Sequence, residues 1–287
     1  MLYSIGIAKF SVIKTFLYVL VGVILGMLSG LWQYRYFVWS SIRNELISKF
    51  ARSKFSGIWM IANPLAQVAI YALILSSVLA AKLPGIEHQY AYAIYLMAGL
   101  LAWTLFNDIV LRCLNLFVEN GNLMKKMSFP RITLPVVAVG TCSVNNFLLL
   151  VSMFAVFALL GHQFSLAMLW LFPLTFLLVV FSVGIGLMLG ILNVFIRDVG
   201  QVVPIVLQMG FWFTPIVYPL DIVPLRFREI LDWNPLLPIV EAYQQVLVYG
   251  MSPSIEGLAK VSLVALFFMF CSLYLFRRAS SEMVDVL

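Results

Sequence analysis

Between Arg131 and Arg197 the chain contains no Asp, Glu, Lys or Arg. Two apolar runs, residues 132–160 and 165–195, fill that interval, parted only by GHQFS. Each is longer than the roughly 20 residues that cross a bilayer as a helix. A water-soluble domain is about a quarter charged; here only 10% of 287 residues are charged and 63% are hydrophobic, with a mean hydropathy of +1.03. Lipid offers no partner to backbone N–H and C=O groups, and the runs lack the alternation of a barrel strand, so the spans are helices. The fold class is all-α, a polytopic membrane protein.

Four more runs, 57–81, 90–111, 199–218 and 257–276, bring the expected number of transmembrane helices to six. The breaks between runs carry turn chemistry or charge: KLPGIEHQ at 82–89, ENGNLMKKMSFPR at 119–131 and Arg197-Asp198. Cytoplasmic connections retain Lys and Arg. If the segment before the first span is inside, the inner side collects Arg35, Arg43, Lys49, Arg52, Lys54, Arg112, Lys125, Lys126, Arg131, Arg197, Arg277 and Arg278. The outer side is left with Lys82, Arg226, Arg228 and Lys260. Arg197-Asp198 then becomes a tight inner turn, with Asp198 expected to cap the fifth span by accepting from its first free N–H groups.

The net charge of +6 follows from this distribution at span ends and forms no basic soluble face, so nucleic acid is not an expected partner. Cys113, Cys142 and Cys271 lack paired spacing and read as packing residues. His88 and His162 fall singly in polar connections, so neither a metal site nor a triad is expected. No GxxxxGK[ST] phosphate loop is present, so this chain is not expected to split ATP itself.

In residues 36–55, Trp39, Ile42, Leu46 and Phe50 recur at helical spacing while Arg43, Lys49 and Arg52 lie elsewhere. Such a basic amphipathic helix rests along the inner leaflet. Residues 1–32 are a hydrophobic N-terminal extension. Its 15–32 stretch, with Gly22, Gly26 and Gly30 at four-residue spacing, reads either as a seventh helix that packs closely or as an extension upstream of Met27. A cleaved signal peptide is rejected, because it would export the basic helix.

Most of the twelve prolines lie between 204 and 253. There, two amphipathic pieces meet at Trp233-Asn234-Pro235, each too short to cross a bilayer. The expectation is a re-entrant helix pair on the outer face, between the fifth and sixth spans, with Tyr243 on its second member; the alternative is a periplasmic loop lying on the membrane.

Asp108 and Arg112 are the strongest polar candidates inside a span. They stand four residues apart and can pair along one helix face, as a pathway element or as a snorkelling arginine with a local partner. Asn145 and Asn146 suit helix packing. Trp103, Phe106, Phe211, Trp212, Phe213 and Tyr218 are candidates to line a sugar path, since sugars stack C–H faces on rings; aromatics of the membrane interface look the same in sequence.

In this order the segments resemble the permease subunits of type 2 ABC transporters, particularly those exporting O-antigen and related lipid-linked polysaccharides. RNELISKFARSKFSGIWMIANPLAQVAIYALILS is similar to that family's interfacial helix and first span, including the Asn63-Pro64 step. ENGNLMKKMSFPR resembles its cytoplasmic turn, NVFIRDVGQVVPIVLQMGFWFTPIVYP its fourth-to-fifth junction, and LDWNPLLPIVEAYQQVLVYG its outer re-entrant segment.

The resemblance implies a permease domain over 33–287, a homodimer, and two copies of a separate cytoplasmic ABC ATPase that holds the ATP and Mg, with no cofactor in this chain. It implies a bacterial inner-membrane location and a cargo on a polyprenyl diphosphate carrier. Coupling to the ATPase would fall to Arg43, Lys49, Arg52, Glu119, Asn120, Lys125 and Lys126. The path would fall to Asp108, Arg112, Trp103, Phe211, Trp212 and Tyr218, and the outer gate to Trp233, Asn234, Pro235 and Tyr243. Arg43, Lys49, Arg52 and Arg112 are the cations that could draw in a diphosphate. Other readings are the same scaffold exporting capsule, teichoic acid, lipid or drug, a membrane enzyme acting on a lipid carrier, and a structural anchor.

Overall fold

One helix, Ala91–Glu119, organises the bundle. It carries buried residues around most of its circumference, from Ile94 and Met97 to Val110, Leu114 and Phe117, and leaves one stripe through Thr104, Asp108 and Arg112 less buried. At 1.5 Å per residue its 29 residues reach ~43 Å. In a computed structural model, residues 32–48, 56–74, 91–126, 131–159, 161, 165–280 and 282–286 are described. The N-terminal apolar stretch up to residue 31, Lys49, Phe50, Arg52, the end of the first predicted span, His88 and His162 lie outside the described residues.

In chain order the helices are α1 (Arg35–Ser48), α2 (Ser56–Ile74), α3 (Ala91–Glu119), α4 (Gly121–Lys126), α5 (Thr133–Leu159), α6 (Leu171–Phe195), α7 (Val199–Trp212), α8 (Leu225–Leu231), α9 (Leu237–Gln244), α10 (Ile255–Ala279) and α11 (Glu282–Val286). A 3-10 turn, Leu166–Trp170, leads into α6, and a π turn, Gln245–Tyr249, ends α9. No strand occurs among the described residues.

Among the described residues, four segments are long and apolar enough to cross a membrane: α3, α5, α6 with its leading turn, and α10. The expected fifth span is shorter than read. α7 has 14 residues, ~21 Å, against a hydrocarbon layer of about 30 Å. Beyond Trp212 the chain leaves helical geometry up to Leu220.

α3 packs chiefly on α6 and α5, with α9 and α7 against its remaining sides; α10 covers the far side of α6, and α2 lies mainly on α5. Gly186 and Gly190, one turn apart on α6, permit the close approach to α3. A Cβ at Gly190 would collide with the Cys113 carbonyl, and one at Gly186 would stand 2.9 Å from Cys113 Cβ. Without a hydrophobic force between helices in lipid, contacts of this kind supply much of the association. Cys113 and Cys142 are buried small residues within the helix packing.

Helix ends sort into two sets. At one end, Asn193 of α6 donates to the Leu114 carbonyl at 3.0 Å. Arg131, before α5, donates to the Oγ of Ser280, after α10, at 2.7 Å. At the other end, Tyr92 of α3 donates to the Val217 carbonyl at 2.7 Å, and Ser165 to the Gly250 carbonyl at 3.2 Å. Arg112, Arg131, Arg197, Arg277 and Arg278 all belong to the first set, which we call the basic end. These contacts place the ends of α3, α5, α6 and α10 alternately in the two sets.

Asp198 does not cap α7 through its side chain. Its backbone is already helical, φ −63 and ψ −27, whereas a capping side chain needs the extended conformation to reach back to N2 or N3. Its carbonyl instead accepts from Gln201 and Val202, both at 3.0 Å. Arg197 and Asp198 are exposed, and Gly200 leaves room for the Asn193 side chain beneath the turn.

Candidate functional site

Polar residues recur every fourth position on two helices that face one another. On α2 they are Trp59, Asn63 and Gln67; on α3 they are Thr104, Asp108 and Arg112. A four-residue step returns nearly to the same helix face, so each set forms one line. With Asn145 and Asn146 of α5, all but Arg112 border a cleft of about 290 Å³, closed on one side by Leu148 and Leu149. Asn146 is buried and donates to the Leu101 carbonyl at 2.8 Å, the helix-packing role expected of it. Asn63, Gln67 and Asp108 are exposed. Pro64 also removes the N–H that would have bonded to the carbonyl of residue 60.

One turn towards the basic end, the guanidinium of Arg112 forms an ion pair with Glu45 of α1. The other carboxylate oxygen of Glu45 lies 3.2 Å from the hydroxyl of Thr141 on α5, which is also within 3.0 Å of the Val137 carbonyl. Ile42, one turn before Glu45, lies over Gly140, where a Cβ would collide with it. Ile42 and Leu46 are buried, while Trp39 stays 68% exposed and Arg43 faces solvent. The apolar face read for this helix is thus divided: one part packs on protein and the other stays free.

The turn expected to meet an ATPase lies beside the same end. Glu119 and Lys125 are exposed, and Asn120 donates to the Leu116 carbonyl at 2.8 Å, ending α3. α4 follows at once, anchored by buried Met124. The Lys126 side chain lies outside the described residues.

At the opposite end, side chains satisfy the backbone that leaves α7. Tyr95 reaches the carbonyls of Pro215 and Tyr218 at 3.3 and 3.2 Å, and Gln244 of α9 donates to Pro215 at 3.1 Å. Asn234 donates to Thr214 Oγ1 at 2.9 Å and accepts from the Leu236 N–H at 3.0 Å. The Trp-Asn-Pro step therefore pins α8 and α9 to the end of α7 through Asn234. Pro235 lies in the turn that follows, and Trp233 is 88% exposed. Tyr243, read as a gate residue, is fully buried with its hydroxyl 2.7 Å from Thr175 of α6, so it stands as a packing residue within this chain. Glu241 lies in the same helix. Burial raises its carboxyl above the ordinary value, and the nearby Asp232 and Asp221 add to the effect.

The aromatic candidates separate in the same way. Trp103 is buried against Phe106 and Phe211, with ring centroids 5.7 and 5.6 Å away. Trp212 and Phe213 are exposed, and Tyr218 donates to the Trp212 carbonyl at 2.7 Å. Sequence reasoning missed Glu45, Thr141, Trp59, Gln67 and Thr104 as site residues. The four-residue recurrence on α2 and α3 was the signal available for the last three.

Residues 36–248 match the family described as ABC-2 type transporter. The chain is 29% identical over 208 residues to an O-antigen export system permease protein RfbA of Klebsiella pneumoniae, covering 72% of this chain and 78% of the relative. It is 24% identical over 258 residues to the protein of the same name from Myxococcus xanthus, covering 89% and 96%. To the polysialic acid transport protein KpsM of Escherichia coli it is 24% identical over 245 residues, covering 84% and 92%.

Proposed function

The chain belongs to the ABC-2 type transporter family, and on that premise we propose that it is the membrane subunit of an ATP-driven exporter. Its cargo is a polyprenyl-diphosphate-linked polysaccharide of the O-antigen kind, carried from cytoplasm to periplasm. Two copies form a homodimer with the channel along their interface. Two copies of a separate ABC ATPase bind the cytoplasmic face, hold the ATP and Mg, and perform the hydrolysis. The bacterial inner membrane is its location.

The observation that carries the cargo class is the similarity to O-antigen export permeases of two organisms. Two features of this chain support the mechanism. The Glu45–Arg112 pair ties α1 to α3, so a push on α1 from an attached ATPase reaches the central helix directly. The exposed Lys125 lies on the short helix that follows α3, next to that junction. A diphosphate head would meet Arg43 more readily than Arg112, because Glu45 already neutralises the Arg112 guanidinium.

A second reading comes from the similarity to the polysialic acid transport protein, which would make the cargo an acidic polymer.

Deleting the gene tests the proposal. Lipid-linked polymer should accumulate inside the cell and be restored to the surface by the intact gene; normal surface polysaccharide in the deletion strain overturns it.

A further inference from the structure

We propose that the cleft between α2, α3 and α5 is a subsite for the sugar rings of the cargo, one that binds hydroxyl groups rather than the carrier's phosphates. This inference rests on the polysaccharide reading above and adds a location and a recognition chemistry to it.

The first argument is cost. Polar side chains within spans are expensive and are retained where they face protein, water or a passing solute. Helix packing accounts for Asn146, whose amide is spent on the Leu101 carbonyl. It does not account for Asn63 and Gln67, which are exposed on the cleft wall of an otherwise apolar helix. An amide facing hydrocarbon costs several kcal/mol, so something polar covers this face.

The second argument is chemistry. Carboxamides both donate and accept, and Thr104 adds a hydroxyl and Asp108 a carboxyl. That combination suits neighbouring hydroxyls on one ring, each of which also donates and accepts. Trp59, 46% exposed at the same cleft, presents a flat apolar surface to the C–H face of the ring. The volume of about 290 Å³ is at the bottom of the range for small-molecule pockets, which fits a monosaccharide unit and excludes a folded segment of chain.

The third argument is charge. Among the described lining residues the ionisable group is Asp108, and the nearest described cation along α3, Arg112, is paired with Glu45. Among the described lining residues no cation is present to meet a diphosphate. Asp108 stands eleven residues before the basic end of α3, ~17 Å along the axis, so a polymer entering from that end meets the cleft early. Passage needs contacts favourable enough to admit a ring and weak enough to release it, and neutral hydrogen bonds beside one indole meet that requirement.

The test uses the full exporter in cells. A photo-crosslinking residue is placed at position 67, and as a control at position 172, where Phe172 is 73% exposed on α6. Adducts are probed with hydrazide-biotin after periodate oxidation of vicinal diols. The expected result is a glycan-bearing adduct at 67 and none at 172. With surface polymer normal, either an adduct only to a second copy of this chain or no glycan at 67 overturns the subsite while leaving the exporter reading intact. Normal surface polymer in the deletion strain overturns the exporter reading, and the subsite with it. As a second arm, the double variant Gln67→Leu/Thr104→Val should slow export several-fold at unchanged abundance of the complex; an unchanged export rate at that abundance overturns the proposal.

Discussion

Arg112 of α3 and Glu45 of α1 form an ion pair across 67 residues of sequence. The pair is partly exposed, 40% for the arginine side chain and 22% for the glutamate, so its worth lies between that of a surface bridge and a buried one. Its position gives it more consequence than its energy. It joins α1 to the most buried helix of the bundle.

Glu45→Gln should lower the stability of the purified chain by about 1 kcal/mol. It should also reduce transport-coupled ATPase activity more than that loss explains. The exchange Glu45→Arg with Arg112→Glu should recover most of both. Thermal unfolding in detergent and ATPase assays of the proposed complex measure the two effects, and a double-mutant cycle without coupling energy would mean that the pair does not tie α1 to α3.

Gly140→Leu should lift α1 from α5, because Ile42 occupies the space a side chain would need. Replacing Ile42 with Ala in the same chain should restore much of the loss. The single variant is expected to cost ~1 to 3 kcal/mol, the usual range for overpacking, read as a fall in melting temperature.

Gly190→Ala should be worse than its size suggests. The new methyl meets the backbone carbonyl of Cys113, which cannot move aside as a side-chain tip would. Loss of folded protein in the membrane fraction is compared with Gly210→Ala, a helical glycine whose new Cβ would meet only the tip of the Trp103 ring at 3.3 Å. Equal yields of the two variants contradict the α3–α6 contact.

Tyr95→Phe removes a donor from the carbonyls of Pro215 and Tyr218. Leaving such acceptors unpaired costs about 1 to 3 kcal/mol. Hydrogen exchange at residues 213–218 should rise in this variant and rise further with Gln244→Leu, which strips the remaining named donor from Pro215. Unchanged protection in both would show that water already serves these carbonyls.

Glu241 has a carboxyl raised by burial. A raised value in the folded state means that stability is full below the ordinary carboxylate range and declines as pH climbs through the folded value. Glu241→Gln should therefore raise the melting temperature at neutral pH and flatten its dependence on pH. A variant that melts lower at neutral pH would mean the charged form is the one held in place.

Much of this was legible from residue order alone. The charge-free interval from 131 to 197 dictated helices, because each backbone group in lipid must be satisfied within its own segment, and that requirement is local. Charge at the helix ends follows an equally local rule, since Lys and Arg stay where headgroups and water reach them. Asp198 was misread as a side-chain cap because a residue type does not announce its φ and ψ. The fifth span was read as longer than α7, since apolar composition continues through residues 213–218 after helical geometry has stopped.

Class and family follow from the sequence because they depend on short-range rules: hydrogen bonding along one helix, hydropathy and charge at its ends. Which helix face meets which neighbour was decided only in three dimensions. Glu45 looks like any exposed glutamate on a basic helix until α1 lies over Gly140 and brings it to Arg112. The lines of Trp59, Asn63 and Gln67 and of Thr104 and Asp108 become one cleft only when α2 and α3 stand side by side against α5. Contacts across that distance depend on how close the backbones come, and in lipid that is set by where the small residues allow it.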